Sequence, residues 1–184
     1  MTTLVAFDND GVFNHFSKSA KDSKRTMVGE WPVSYREDVL DRVRELLARP
    51  DVVGGWLTTW LEDKALLAEL EHRLGLEGLM QFRAPHFKTP LGWNGYGVDP
   101  AFEGRSGEYP TRPDWWKFRA WELVLDEHKP DRAAWFDDDL GSAKGKGVDE
   151  FRPRVTPDRF LYRTHSVAGL LHTDLDKLDK WLDD

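Results

Sequence analysis

Residues 3–11 read TLVAFDNDG, a short apolar run that stops at three polar residues and a glycine. An apolar run of this length with β-branched members is typical of a buried strand, and the Asp-Asn-Asp-Gly that follows is typical of a turn. The stretch therefore predicts a strand over 3–7 whose carboxyl end carries Asp8 and Asp10.

The chain beyond this strand alternates between strand and helix signals. Four further apolar runs predict strands, and four stretches with apolar residues at helical spacing predict helices. The predicted strands lie at 52–57, 79–83, 133–136 and 159–162, and the predicted helices at 36–48, 62–74, 114–128 and 174–182. Alternation of this kind indicates a parallel sheet with helices on both faces. We therefore predict an α/β fold around a central, mostly parallel sheet of five strands.

A chain of 184 residues is long enough for one domain with a full core and too short for two of ordinary size. Two segments interrupt the alternation of strands and helices. Residues 12–35 contain Gly29 and Pro32 and predict a loop or small hairpin, which would act as a flap, while residues 85–112 predict an irregular insertion. We expect a single domain over 1–184 with these two segments as its lids.

The composition excludes several classes of protein. Charged residues make up 32% of the chain, and no apolar run approaches the roughly 20 residues of a membrane span. The N-terminal residues lack the basic leader of a signal peptide, and the absence of Cys excludes disulfides and thiolate metal sites. The net charge of −7 disfavours the wrapping of long nucleic acid, which needs a basic face. We expect a cytoplasmic protein with no membrane partner.

Acidic and hydroxyl residues recur where the predicted strands end. Asp8 and Asp10 follow the first strand, Thr58 and Thr59 follow the second, and the acids of 137–139 follow the fourth. Ligands of parallel sheets bind beyond the carboxyl ends of the strands, and acids gathered there repel one another unless a cation or a proton is bound. Aspartates also cap turns and helices, which is the alternative explanation for these residues. Their recurrence at several strand ends favours a shared site.

The residue types at these strand ends suit phosphoryl transfer. A carboxylate such as Asp8 can attack phosphorus and form an acyl-phosphate. Asp10, one turn residue later, can protonate the leaving oxygen and then deprotonate water. Gly11 lets the backbone turn tightly beside a substrate. Thr58 offers a hydroxyl group, and the backbone N–H groups from Thr59 onward offer donors, to a phosphoryl oxygen.

A metal ion would give the acids a common role. Asp137 and Asp138, with Asp8 and the backbone carbonyl of Asp10, would complete the oxygen-only shell that Mg²⁺ prefers. The three consecutive acids leave the ligands ambiguous, and we favour the first two because Asp139 should point away.

A lysine is the expected positive group of the site. Lys117 lies on the helix before the fourth predicted strand and could neutralise both a phosphoryl group and Asp8. Lys88 is the alternative, although no helix begins beside it.

Four pieces of the chain, in their order over residues 4–139, resemble the motifs of the haloacid-dehalogenase-like superfamily. They are LVAFDNDGV, GGWLTTW, PDWWKFRAW and AAWFDDD. The resemblance implies a Rossmann-like three-layer sandwich, an aspartyl-phosphate intermediate and Mg²⁺, with Asp8 as nucleophile and Asp10 as acid and base. It also implies a small or absent cap, because the chain lacks the roughly 60 or more residues of a large cap domain. The family often has Thr where this chain has Val12, so the fine placement of Asp10 lacks that hydroxyl group.

These features predict a Mg²⁺-dependent phosphatase that hydrolyses phosphate monoesters. The alternative is a non-catalytic module that binds phosphate or a protein partner, although every expected catalytic group is present. A phosphoacceptor receiver domain is a third candidate, but the order of its acids, Thr and Lys along the chain differs from the order here.

The insertion at 85–112 is the candidate segment for substrate recognition. It mixes aromatic and basic residues, and its candidate substrate contacts are Trp93 and Arg112. Aromatic side chains stack on bases, and cationic side chains bind phosphates. This composition suits a nucleotide or a nucleic-acid end. The alternative is that the aromatic residues only pack the insertion against the sheet. The oligomeric state is not indicated by the sequence.

Overall fold

The computed structural model of the protein describes residues 1–17, 22–82, 116–141 and 152–184. These residues form eight β-strands, four α-helices and one short 3₁₀ helix. The strands are β1 (Thr3–Phe7), β2 (Ser23–Val28), β3 (Trp31–Arg36), β4 (Val52–Trp56), β5 (Met80–Gln81), β6 (Arg132–Phe136), β7 (Arg154–Val155) and β8 (Arg159–Tyr162). The helices are α1 (Glu37–Leu47), α2 (Lys64–Leu74), α3 (Trp116–His128) and α4 (His172–Asp183), and the 3₁₀ helix is Thr59–Glu62.

The described strands form a central sheet of six in the order β5-β4-β1-β6-β8-β7. All neighbouring pairs are parallel except β7, which pairs antiparallel with β8 at the edge. The α/β class and the mostly parallel sheet are therefore confirmed, but the predicted count of five strands was wrong. The missed strand, β7, has only two residues, both exposed, and it forms only through its pairing with β8.

The parallel strands, numbered along the chain, read 3-2-1-4-5 across the sheet, which is consistent with a Rossmann-like arrangement. The strand order reverses between β1 and β6, and such a switch point opens a crevice at the carboxyl ends of the two strands. Both strands are buried at every residue, as expected for central strands that helices cover on both faces.

Helices cover the two faces of the sheet. On one face, the rings of Trp135 in β6 and Trp121 in α3 lie 5.4 Å apart. Side chains alternate along a strand, so Phe136 faces the other side. There it packs on Phe160 of β8, whose ring lies 5.5 Å from that of Trp181 in α4. Helices α3 and α4 therefore lie on opposite faces and give the fold three layers.

Strand β4 reads VVGGW, and glycine usually weakens the interior of a strand. At Gly55 a Cβ atom would lie 2.1 Å from the ring of Phe82, which is only 2% exposed. Only glycine therefore admits this ring against the sheet, and the predicted strand forms despite its two glycines.

The predicted helix at 62–74 is two elements in the structure. The chain first forms the 3₁₀ helix Thr59–Glu62, and Asp63 then caps α2 by accepting the N–H group of Ala65 at 2.9 Å. The predicted start was wrong because this cap holds its residue in an extended conformation, outside the helix. The predicted end is confirmed, since Gly75 closes α2 with a φ of 61°.

The segment expected to be a loop or hairpin contains the antiparallel hairpin of β2 and β3. At its tip the N–H group of Gly29 donates to Glu69 of α2 at 3.0 Å, so the hairpin rests on this helix. The predicted insertion at 85–112 lies outside the described residues, and the small or absent cap therefore stays a prediction. None of the helices in the described part of the chain is long and apolar enough to span a membrane.

Candidate active site

Two buried aspartates lie at the switch point of the sheet. Asp8 follows β1 and Asp137 follows β6, and the last residues of these strands, Phe7 and Phe136, are paired in register. The backbone ladder continues one residue further, because the N–H group of Asp8 donates to the carbonyl of Phe136 at 3.0 Å. The two carboxylates are therefore held side by side where ligands of such sheets bind.

Lys117 of α3 reaches both carboxylates. Its Nζ donates to Oδ2 of Asp8 at 2.5 Å and to Oδ2 of Asp137 at 2.8 Å. The alternation of side chains puts Asp137 on the same face as Trp135, which packs on Trp121 one helical turn after the lysine. The same packing thus carries Lys117 to the acids. The lysine is 3% exposed, Asp8 is 5% exposed and Asp137 is fully buried.

Burial sets the electrostatics of this trio. It raises the pKa of Asp8, an effect that Lys117 opposes and Asp10 reinforces. It also raises the pKa of Asp137, again against Lys117 and with Asp8 adding to the rise. Burial alone would lower the pKa of Lys117, but the two carboxylates raise it above its ordinary value, so the ammonium stays charged. One cation is therefore shared by two buried acids that repel each other.

Asp138 adds a third carboxylate. One oxygen from each of Asp8, Asp137 and Asp138 lies within 4.8 Å of the other two. The side chain of Asp138 packs on Gly11. A Cβ atom at Gly11 would lie 2.4 Å from Cγ of Asp138, and φ of Gly11 is 74°. Glycine is thus required at this position by both space and conformation. The hydroxyl group of Thr164 donates to the Gly11 carbonyl at 2.7 Å and holds this turn.

The three carboxylates fit a divalent metal ion. When all three are ionised, they and the single ammonium of Lys117 carry a net formal charge of −2 in a largely buried cluster. Carboxylate oxygens are the ligands that hard divalent cations prefer, and a cation of charge +2 would balance this excess. The donor set does not distinguish Mg²⁺ from other hard cations.

The carboxylate of Asp10 lies beside this cluster and has its own partners. Its Oδ2 accepts the indole N–H of Trp60 at 2.9 Å, and its Oδ1 accepts the amide of Asn14 at 2.7 Å. Asn9 adds a longer contact to Oδ1 at 3.4 Å. The predicted role of the Asp10 carbonyl as a metal ligand stays a prediction.

The two threonines after β4 border the site from the other side. Thr58 is fully buried, and after the larger effects of burial, Lys117 and Asp10, its side chain lowers the pKa of Asp8 by hydrogen bonding. Its hydroxyl oxygen also accepts the N–H group of Trp60 at 3.5 Å and so caps the 3₁₀ helix. Thr59 is the first residue of that helix and is partly exposed.

Sequence reasoning missed several residues of this region. Arg163 follows β8 as Asp137 follows β6, and its Nε donates to the carbonyl of Asp138 at 2.9 Å. The same rule of strand ends that predicted the acids would have found this arginine. No local signal would have found Trp60 or Asn14, since their partner lies across a turn or in another element.

The structure thus brings together Asp8, Lys117, Asp137 and Asp138, with Thr58, Asp10 and Gly11 at the borders of the cluster. Asp139 supplies its backbone N–H group to Oδ1 of Asp137 at 2.8 Å. The predicted substrate contacts Trp93 and Arg112, and the alternative lysine Lys88, lie outside the described residues.

The chain matches no protein-family model, and comparison with curated proteins and with solved structures finds no significant match.

Proposed function

We propose that this protein is a Mg²⁺-dependent phosphatase that hydrolyses phosphate monoesters through an aspartyl-phosphate on Asp8. The observation that carries the proposal is the buried ammonium of Lys117, which bridges Asp8 and Asp137 at 2.5 and 2.8 Å at the switch point of the sheet. A buried, charge-assisted trio at a ligand crevice is costly for stability and is typical of functional sites.

The first step is the transfer of the phosphoryl group to the protein. An oxygen of Asp8 attacks phosphorus, the bond from phosphorus to the leaving oxygen breaks, and that oxygen keeps the electron pair and takes a proton from Asp10. Lys117 offsets the negative charge of the nucleophile and of the approaching phosphoryl group. The hydroxyl group of Thr58 and the N–H groups at the start of the 3₁₀ helix are the donors for a phosphoryl oxygen.

The second step restores the protein. Asp10, now a carboxylate, accepts a proton from a water molecule that attacks the phosphorus of the aspartyl-phosphate, and inorganic phosphate leaves as Asp8 is regenerated. The partly exposed position of Asp10 suits both of its roles, because it must meet the leaving group and then water.

Asp8, Asp137 and Asp138 would hold the metal ion, with the Asp10 carbonyl as a further ligand. The bound ion would neutralise charge on the transferring phosphoryl group. Mg²⁺ is the proposed ion because it prefers oxygen ligands and usually completes its shell with water molecules and the oxygens of a phosphate substrate.

The substrate class is part of the proposal. A nucleotide or a nucleic-acid end suits the aromatic and basic residues of the insertion, with Trp93 and Arg112 as its contacts. A cytoplasmic location completes the proposal.

The test is phosphate release from an aryl phosphate with Mg²⁺ and with EDTA. We expect turnover that EDTA abolishes, and an acid-stable phosphoprotein after quenching with labelled substrate. Asp8→Asn should lose several orders of magnitude in kcat and all of the phosphoprotein, because an amide is a poor nucleophile. Asp176→Asn, on the exposed surface of α4, is the matched control and should retain full activity. Equal rates in EDTA, or an active Asp8→Asn variant, would refute the proposal.

A further inference from the structure

Both oxygens of the Asp10 carboxylate are held by N–H donors from different parts of the fold. Trp60 donates to Oδ2 at 2.9 Å and Asn14 donates to Oδ1 at 2.7 Å. Two bonds to different oxygens restrict the rotation of a carboxylate group more than one bond does. These two short bonds, with the longer contact from Asn9 at 3.4 Å beside them, therefore set the direction in which the Asp10 carboxylate points.

The Trp60 donor is anchored by the element that follows β4. Trp60 lies in the 3₁₀ helix that Thr58 caps, and the next residue, Leu61, is 2% exposed in the core. An indole N–H group can only donate, so Trp60 is the donor and Asp10 the acceptor of this bond. The element that carries Thr58 beside Asp8 thus also holds Asp10.

The Asn14 donor is anchored to the hairpin. Its amide oxygen accepts the backbone N–H of Ser34 in β3 at 2.9 Å, and its own backbone N–H donates to the carbonyl of Asn9 at 2.9 Å. Asn14 is 7% exposed and spans the turn after β1 and the hairpin. Its side chain therefore has both ends committed, and the amide orientation follows from the Ser34 contact.

We propose that Trp60 and Asn14 are positioning residues that aim Asp10 at the leaving oxygen, an inference that rests on the proposed function. Val12 follows Gly11 in the same turn. Its side chain is apolar and 1% exposed, so it supplies no hydrogen-bond donor to Asp10. The contact from Trp60 bridges 50 residues of sequence and the contact from Asn14 only four, so two separate parts of the fold converge on one carboxylate.

A residue that aims a general acid affects substrates according to their leaving groups. An alkoxide needs a proton to leave, whereas a nitrophenolate leaves without one. Loss of the Trp60 N–H should therefore slow phosphoryl transfer from an alkyl phosphate far more than from an aryl phosphate. Dephosphorylation also uses Asp10, so an aryl phosphate should then give a burst of phenol followed by slow turnover.

The experiment compares Trp60→Phe with Trp56→Phe. Trp56 is fully buried and its indole N–H donates to Glu71 at 2.9 Å, so the control loses an indole bond of the same length outside the site. For Trp60→Phe we expect kcat/KM to fall about tenfold or more for an alkyl phosphate and less than about threefold for 4-nitrophenyl phosphate, with a burst for the latter. For Trp56→Phe the ratio of the two kcat/KM values should match the wild type, without a burst.

Three outcomes would overturn the inference, and they are distinguishable. An equal loss on both substrates in Trp60→Phe would mean that the contact is only structural. An unchanged ratio of the two kcat/KM values with normal activity would mean that Asp10 is oriented without the bond from Trp60. A wild-type protein inactive on both substrates would overturn the proposed function and this inference with it. If Trp60→Phe does not fold, Asn14→Ala must show the same selective loss on the alkyl phosphate for the inference to stand.

Discussion

Replacing Lys117 with methionine keeps a side chain about as long as the aliphatic part of lysine and removes the charged ammonium group, which shows what that group contributes to the stability of the fold. In the wild type, Nζ lies 2.5 Å from Oδ2 of Asp8 and 2.8 Å from Oδ2 of Asp137. At an effective dielectric constant of about 20, Coulomb's law gives attractions of about 6.6 and about 5.9 kcal/mol for these two distances. The methionine variant loses both and leaves two buried carboxylates facing each other.

The net loss is smaller than this sum, because removing the lysine also removes several kcal/mol of its own desolvation cost. Breaking a buried ion pair by deleting one partner typically costs about 3–5 kcal/mol. We therefore expect Lys117→Met to lower the free energy of unfolding by about 3–5 kcal/mol at neutral pH without metal. Lys177→Met, which removes an exposed lysine that donates to Tyr162, is the matched control and should cost about 1 kcal/mol or less.

The pH dependence gives the prediction a second readout. Burial raises the pKa of Asp8 and Asp137 in the folded protein, and loss of Lys117 raises both further because the lysine opposes that rise. A folded state with raised carboxyl pKa values holds more protons than the unfolded chain, whose aspartates titrate at about 3.9. Stability is therefore retained at low pH and lost as pH rises through the raised values. The deficit of Lys117→Met should therefore grow as pH rises and should be smaller near pH 5 than near pH 8, with the contribution of Asp137 developing from its raised pKa of about 8 upward.

The assay is urea unfolding in EDTA, followed by tryptophan fluorescence, for the wild type and both variants. A Lys117→Met deficit below about 1 kcal/mol at neutral pH would refute the reasoning, since that is the range of surface ion pairs. So would a deficit that stays constant between the two pH values. Either result would mean that the buried ammonium does not balance the two acids.

Two further predictions concern the carboxylates of Asp8, Asp137 and Asp138 and the turn at Gly11 beside them. Mg²⁺ should raise Tm relative to EDTA, and this rise should grow from about pH 5 to about pH 8. A cation binds the ionised forms of Asp8 and Asp137, and the raised pKa values of these residues shift their ionisation to higher pH. Asp138→Asn should reduce the rise, and a metal-induced Tm shift that is the same in this variant would remove Asp138 from the site. Gly11→Ala should destabilise the protein by more than the about 1–2 kcal/mol that a positive φ costs, because its Cβ would also meet Asp138 at 2.4 Å. Gly78→Ala, with a φ of 89° and nothing within 4 Å, isolates the conformational cost, so equal losses in urea unfolding would argue against the close contact.

Local signals in the sequence determined most of the elements. The runs TLVAF and AAWF predict strands by themselves, because continuous apolar residues can be buried only between two layers. The end of α2 at Gly75 also follows from one residue, since glycine adopts a positive φ at little cost. The sharing of one sheet edge by Asp8 and Asp137 follows from the parallel alternation alone, because parallel strands end on the same side.

Contacts between distant residues were decided only by the tertiary structure. The bridge from Lys117 to Asp8 spans 109 residues, and it depends on the packing of α3 on β6, which no period of the sequence specifies. The bond from Trp60 to Asp10 depends on the 3₁₀ helix, which Thr58 caps and which ends just before Asp63 caps the following α-helix. Strand β7 has no signal of its own and exists through its partner. Periodicity and propensity act over a few residues, whereas the register of a sheet and the docking of a helix place side chains that are remote in sequence within a few ångströms of each other.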